Sequence, residues 1–221
     1  IFGINVAGGV SAVVENAQSL PGYLTMHTTY DPVSGTEQPY PIISIVSMIA
    51  WGLGYFGMPH ILLRFMAIED EEKLKLSRRV ATGWVVISLA VAVLIGIIGL
   101  AMTAAGELIP LEGSASETII VKIADLMSQH GVLPALLAGT ILAGILASTM
   151  STADSQLLAA SSSVSSDLLG DFLKKKTGKK GSMFADRITL LIIALIAVFL
   201  ARDPNSSVFN IVSFAWAGFG A

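Results

Sequence analysis

The sequence predicts an all-α membrane protein on three observations: long uncharged runs, a low charged fraction, and basic residues gathered between alternate runs. There are 26 uncharged positions between Glu37 and Arg64, 27 between Arg79 and Glu107, and 23 between His130 and Asp154. A bilayer core of roughly 30 Å takes about 20 apolar helical residues, so each run is long enough to cross. Charged residues form 13% of the 221 positions and apolar ones 53%, where a soluble domain carries about 25% charged. Spans are expected at 42–64, 80–105, 132–158, 186–202 and 208–221, within one transmembrane domain over 1–221.

The elements follow in chain order. Ile1 to Val14 reads as the end of an earlier span, and the last span, 208–221, as truncated. With Ile1 in first place and an apolar end, the chain is expected to be a piece of a longer protein. Glu15 to Pro41 carries Pro21-Gly22, Asp31-Pro32 and Ser34-Gly35 and is expected to be loop. In Ser116 to Gln129, Ile119, Ile120, Ile123, Leu126 and Met127 fall at helical spacing, as in an amphipathic helix on the membrane surface. Asp167 to Gly181 is polar and Lys-rich. The fourth apolar run, Ile188 to Ala201, has only 14 residues, but Arg187 and Arg202 at its ends can snorkel to the two interfaces. No internal repeat is visible.

Charge sets the orientation. Of the 13 basic residues, five (Arg64, Lys73, Lys75, Arg78, Arg79) lie between the first and second spans. Six more (Lys174, Lys175, Lys176, Lys179, Lys180, Arg187) lie between the third and fourth. Short cytoplasmic loops hold the excess of Lys and Arg, which puts both segments inside and Gly106 to His130 outside. A net charge of −3 leaves no basic field for nucleic acid. The absence of Cys excludes disulfides, thiolate metal sites and a Cys nucleophile. Neither H-E-x-x-H nor G-x-S-x-G occurs, and His60 and His130 flank the spans, so an enzyme is not expected.

Two runs are interrupted. In the first span Gly52, Gly54, Gly57 and Pro59 predict a break in the middle third. Irregular backbone within hydrocarbon is tolerated only where protein or a water-filled cavity satisfies it, and transporters build midplane sites from such breaks. Trp51 and Tyr55, four apart, would share one helix face there and cover a small ring. Close helix packing by the glycines explains the same pattern. In the third span Ser148, Ser151, Thr152, Asp154 and Ser155 fall within roughly 160° at 100° per residue. Such a hydroxylic face suits a hard cation, and it also suits hydroxyls that bond one turn back and help helices pack.

Taken together, WGLGYFGMPHILLRFMA (Trp51 to Ala67), ILAGILASTMSTADSQLL (Ile141 to Leu158) and VSFAWAGFGA (Val212 to Ala221) resemble the sodium:solute symporter family, in the branch that carries proline. The resemblance implies a LeuT-type fold of two inverted five-helix repeats, with this fragment covering most of the second. It implies one Na⁺ held by the hydroxyls of Ser151 and Thr152 and the carbonyl of Ser148, where the familiar pattern has Ala. Carbonyls from first-repeat helices, missing from this chain, would complete that site. Substrate contacts map to Trp51, Tyr55 and Pro59. Met58 stands where the pattern has Gln, Asp154 replaces a less polar residue, and Arg64 and His60 match the motif. The implied function is import of L-proline with Na⁺ by a multi-pass protein of the cytoplasmic (inner) membrane. A sodium symporter for another small organic solute, or the membrane sensor module of a signalling protein, are the alternatives.

Overall fold

The computed structural model describes residues 1–31, 34–165, 179–202 and 207–220. Two helices are long and apolar enough to cross a membrane: α5 (Glu71–Ala104) and α7 (Val132–Ser163). The first expected span is a bent pair that would make a third. Its parts are α3 (Ile42–Ala50), a 3₁₀ turn over Trp51–Gly57, and α4 (Pro59–Met66), with 60° between the halves. Helices α8 (Lys179–Leu200) and α9 (Val208–Gly220) stand where the fourth and fifth spans are expected. Most of the Lys-rich segment Asp167 to Gly181 lies outside the described residues.

At 34 residues α5 is about 51 Å long at 1.5 Å per residue, well beyond a bilayer core of roughly 30 Å. Its basic first turns are therefore helical extension and not the loop that charge alone implied. Asp70 starts the helix by accepting a hydrogen bond from the Glu72 N–H at 2.9 Å. Glu71 and Glu72 then favour the positive end of the helix dipole.

The N-terminal stretch departs from expectation. Ile1 to Val14 is not one continuous helix, because Gly8 and Gly9 take φ of 94° and 99° and divide α1 (Phe2–Val6) from α2 (Val10–Ser19). L side chains avoid that region, so the helix cannot continue through it. Within the expected loop Glu15 to Pro41, Thr28–Asp31 (β1) pairs antiparallel with Thr36–Pro39 (β2), Thr28 opposite Pro39.

The amphipathic helix expected within Ser116 to Gln129 is present as α6 (Ile119–Ser128), packed on α5 and α7. Gly99 makes the α5 contact close, since a Cβ there would collide with the Ile119 side chain. Burial concentrates at this end of the molecule. Ala7, Val13, Ala101 and the fully enclosed Met102 form one cluster, and Ala124, Met127 and Ala138 another. The lateral faces of α5 and α7 are largely exposed and apolar, as hydrocarbon or further protein requires.

Candidate functional site

The break in the first span places the aromatic residues. The 3₁₀ turn has 3.0 residues per turn, so Trp51, Gly54 and Gly57 line up and residues four apart do not. Trp51 and Tyr55 therefore do not meet through a shared α-helical face. They meet through Trp216 of α9, which lies 6.2 Å from the Trp51 ring and 5.4 Å, edge-on, from the Tyr55 ring. Phe209 stacks on Trp51 at 5.0 Å. Aromatic pairs of this kind contribute about 0.5–1.5 kcal/mol each beyond burial.

Gly54 makes the approach of α9 possible. A Cβ on it would lie 2.6 Å from Trp216 Cδ1, 2.8 Å from Cγ and 2.9 Å from the Trp216 carbonyl oxygen. Beside this contact is a cavity of about 400 Å³ lined by Trp51, Gly54, Phe209, Ser213, Trp216 and Ser47 among others. Trp216 Nε1 is buried and has no hydrogen-bond partner among the described residues, an arrangement that costs about 1–3 kcal/mol.

The other residues singled out near the break have different settings. Pro59 is the first residue of α4, where its missing N–H costs no helix bond. Met58, 5% exposed, precedes it, and its carbonyl accepts from the Ile61 and Leu62 N–H groups at 3.0 and 3.1 Å. Tyr55, Met58 and Pro59 are not among the lining residues of the cavity, whereas Trp51 is. Arg64 is exposed in the last turn of α4. His130 packs edge-on against Phe2, with Nδ1 2.9 Å from the Leu126 carbonyl oxygen.

On α7, Ser148, Ser151, Thr152 and Asp154 are all exposed. Thr152 Oγ1 donates to the Ser148 carbonyl at 3.2 Å, and Ser155 Oγ to the Ser151 carbonyl at 2.8 Å. Each oxygen still has a lone pair to offer, so the set Ser148 O, Ser151 Oγ and Thr152 Oγ1 retains the hard-donor chemistry a sodium ion takes. Packing of α4 on α7 connects the break to this helix.

Sequence reasoning missed Glu117, in the 3₁₀ segment Gly113–Thr118. Its carboxylate accepts from Ser207 Oγ at 2.7 Å and from the Val208 and Phe209 N–H groups at 3.1 and 3.4 Å. The first turn of α9 is thereby capped from a distant segment. The Ser207 hydroxyl foremost, with the two amides, holds the Glu117 carboxyl below its ordinary range against an opposing effect of desolvation. Phe209 and Trp216 were missed as well. Their aromatic character inside the last apolar run was visible in the sequence, but their partners on the 3₁₀ turn were not.

Fold and site together define a helical membrane protein with one apolar helix pair bent at a glycine-rich turn and an aromatic cavity beside the bend. The chain belongs to the sodium:solute symporter family, whose profile matches residues 1–221. It is 40% identical over 180 residues to the osmoregulated proline transporter OpuE of Bacillus subtilis (strain 168), covering 81% of this chain and 35% of that protein. Over 182 residues it is 38% identical to the sodium/proline symporter of Escherichia coli (strain K12), with 81% and 35% covered. The sodium/proline symporter of Staphylococcus aureus is 42% identical over 182 residues, with 81% and 34% covered. The chain thus spans about a third of the length of these relatives. No solved structure matches it.

Proposed function

We propose that this chain is the substrate-side portion of a symporter that imports L-proline with Na⁺ across the cytoplasmic membrane. The observation that carries the reading is the break at Trp51–Gly57 with its aromatic cavity against α9, in a chain whose relatives include proline transporters. Proline presents an apolar ring, an ammonium and a carboxylate. A discriminating pocket gives the ring an aromatic wall and the charges convergent polar groups. Trp51 supplies the wall, with Tyr55 braced through Trp216, and an ammonium over such rings gains about 0.5–2 kcal/mol. Pro59 fixes where α4 restarts, and Met58 sets an apolar neighbour where a polar one would otherwise enlarge the recognition set.

The co-transported Na⁺ takes the Ser148 carbonyl and the Ser151 and Thr152 hydroxyls, completed by first-repeat helices of the same protein. The arrangement is LeuT-type, with spans at the five expected places, and the basic segments face the cytoplasm. With the roughly 48 Å of α7 centred in a core of roughly 30 Å, Ser151 and Thr152 lie in its inner half. Asp154 then sits about a turn from the inner boundary, and Arg64 reaches the same interface from α4.

The test is flux of labelled L-proline into proteoliposomes of the full-length protein with and without an inward Na⁺ gradient. Uptake should require the gradient. Tyr55→Ala should weaken apparent proline affinity by about tenfold, at 1.4 kcal/mol per decade. Gradient-driven uptake of another small solute with no uptake of proline would refute the substrate assignment.

A further inference from the structure

We propose that Trp216 contacts the transported solute directly, its indole N–H donating a hydrogen bond to the solute's carboxylate. This rests on the transport reading of the same cavity and adds the group that recognises the acid.

Four observations converge. Trp216 lines the 400 Å³ cavity and touches both Trp51 and Tyr55. Its Nε1 is shut away from water and makes no hydrogen bond among the described residues, whereas a buried indole N–H ordinarily finds an acceptor. Among the described residues no lining residue is charged, so a carboxylate entering the cavity meets no Lys or Arg among them. A carboxylate is acceptor-only and needs donors. The Ser213 hydroxyl already donates to the Phe209 carbonyl at 2.8 Å, which leaves the indole, with the Ser47 hydroxyl, as a donor still unused.

Position supports the assignment too. Trp216 Cδ1, the atom bonded to Nε1, is the nearest atom to the place a Gly54 side chain would fill. The donor is therefore held at the broken turn itself, where a solute would lie against Trp51. Entry of the solute need only displace the indole from the Gly54 turn for the N–H to reach the carboxylate. A ring present solely for packing would work equally well without the nitrogen.

The experiment uses purified full-length protein at saturating Na⁺ and measures equilibrium binding of labelled L-proline. Trp216 is replaced by Phe, and in a second variant by 3-benzothienyl-alanine, which keeps the indole's shape and exchanges N–H for sulfur. A lost hydrogen bond to a charged acceptor should weaken proline binding by about tenfold or more in both variants. Na⁺ binding without proline should stay within about twofold of wild type. Wild-type affinity in the benzothienyl variant overturns the proposal, including the case where Trp216→Phe alone is impaired, because shape and not the N–H would then matter. A wild-type protein that binds no proline overturns the transport reading and this assignment with it.

Discussion

Gly54→Ala tests whether the contact between α9 and the 3₁₀ turn is as close as the geometry states. The new methyl carbon would meet Trp216 Cδ1 at 2.6 Å, Cγ at 2.8 Å and the carbonyl oxygen at 2.9 Å. All three lie inside ordinary van der Waals contact, and one is backbone, so a rotamer change cannot relieve them. Overpacking of this kind costs about 1–3 kcal/mol. Gly52→Ala is the control: it adds the same carbon two residues away, with nothing within 4 Å and no positive φ. That variant gains up to about 1 kcal/mol from replacing glycine in a helical segment. Thermal unfolding of the full-length protein in detergent, read by tryptophan fluorescence, should show Gly54→Ala below wild type and Gly52→Ala at or above it. Proline uptake should fall in the first variant only, because displaced α9 carries Phe209 and Trp216 away from Trp51. Equal behaviour of the two variants would refute the close-contact argument.

Glu117→Ala should speed amide hydrogen exchange at Val208 and Phe209, whereas Glu117→Gln should preserve part of the protection by keeping one acceptor oxygen. Because its folded pKa is lowered, the Glu117 contribution is fully present above the ordinary carboxylate pKa and is lost as pH falls through the depressed value. Exchange at those two amides should therefore be flat near neutrality and rise only in acid, beyond the intrinsic pH dependence of exchange. Ser151→Ala and Thr152→Ala should each raise the Na⁺ concentration for half-maximal uptake, while Ser148→Ala should leave it nearly unchanged because only its carbonyl is invoked; equal damage from Ser148→Ala would refute the ligand set. Cysteines at the exposed positions Ser77 and Ala115 should react with impermeant reagent from the cytoplasmic and outer sides respectively, and outside labelling at Ser77 would reverse the orientation.

Elements whose signal is contained in one stretch of chain were readable in advance. Helices α5 and α7 follow from uncharged runs too long for anything but a span, and α6 from apolar residues at helical spacing. The break followed from three glycines and a proline in one run. The β1–β2 hairpin did not, because TTYD and TEQP are short, polar and mostly exposed, with no alternating apolar face to announce them. The placement of Trp51 and Tyr55 on one face assumed 3.6 residues per turn, whereas the glycine-rich turn winds at 3.0 and leaves Trp216 to join them. Trp216 and Glu117 act on residues far away in sequence, and pattern within a window carries no information about such partners. The hydroxyl face of α7 was legible as a face, because Ser148, Ser151, Thr152, Asp154 and Ser155 recur there at helical spacing.

Glu117 and Ser207 are 90 residues apart, and this separation imposes an order on synthesis. At about 5–20 residues per second, roughly 5–18 s pass between the appearance of Glu117 at the ribosome and that of its partner. On the proposed topology, α7 and α8 enter the bilayer during that interval and return the chain to the face on which Glu117 waits. On that topology the nascent protein carries a carboxylate whose hydrogen bonds become available only once both helices have crossed, and a chain in which just one of them crossed would leave the acceptor and the α9 amides on opposite sides of the membrane.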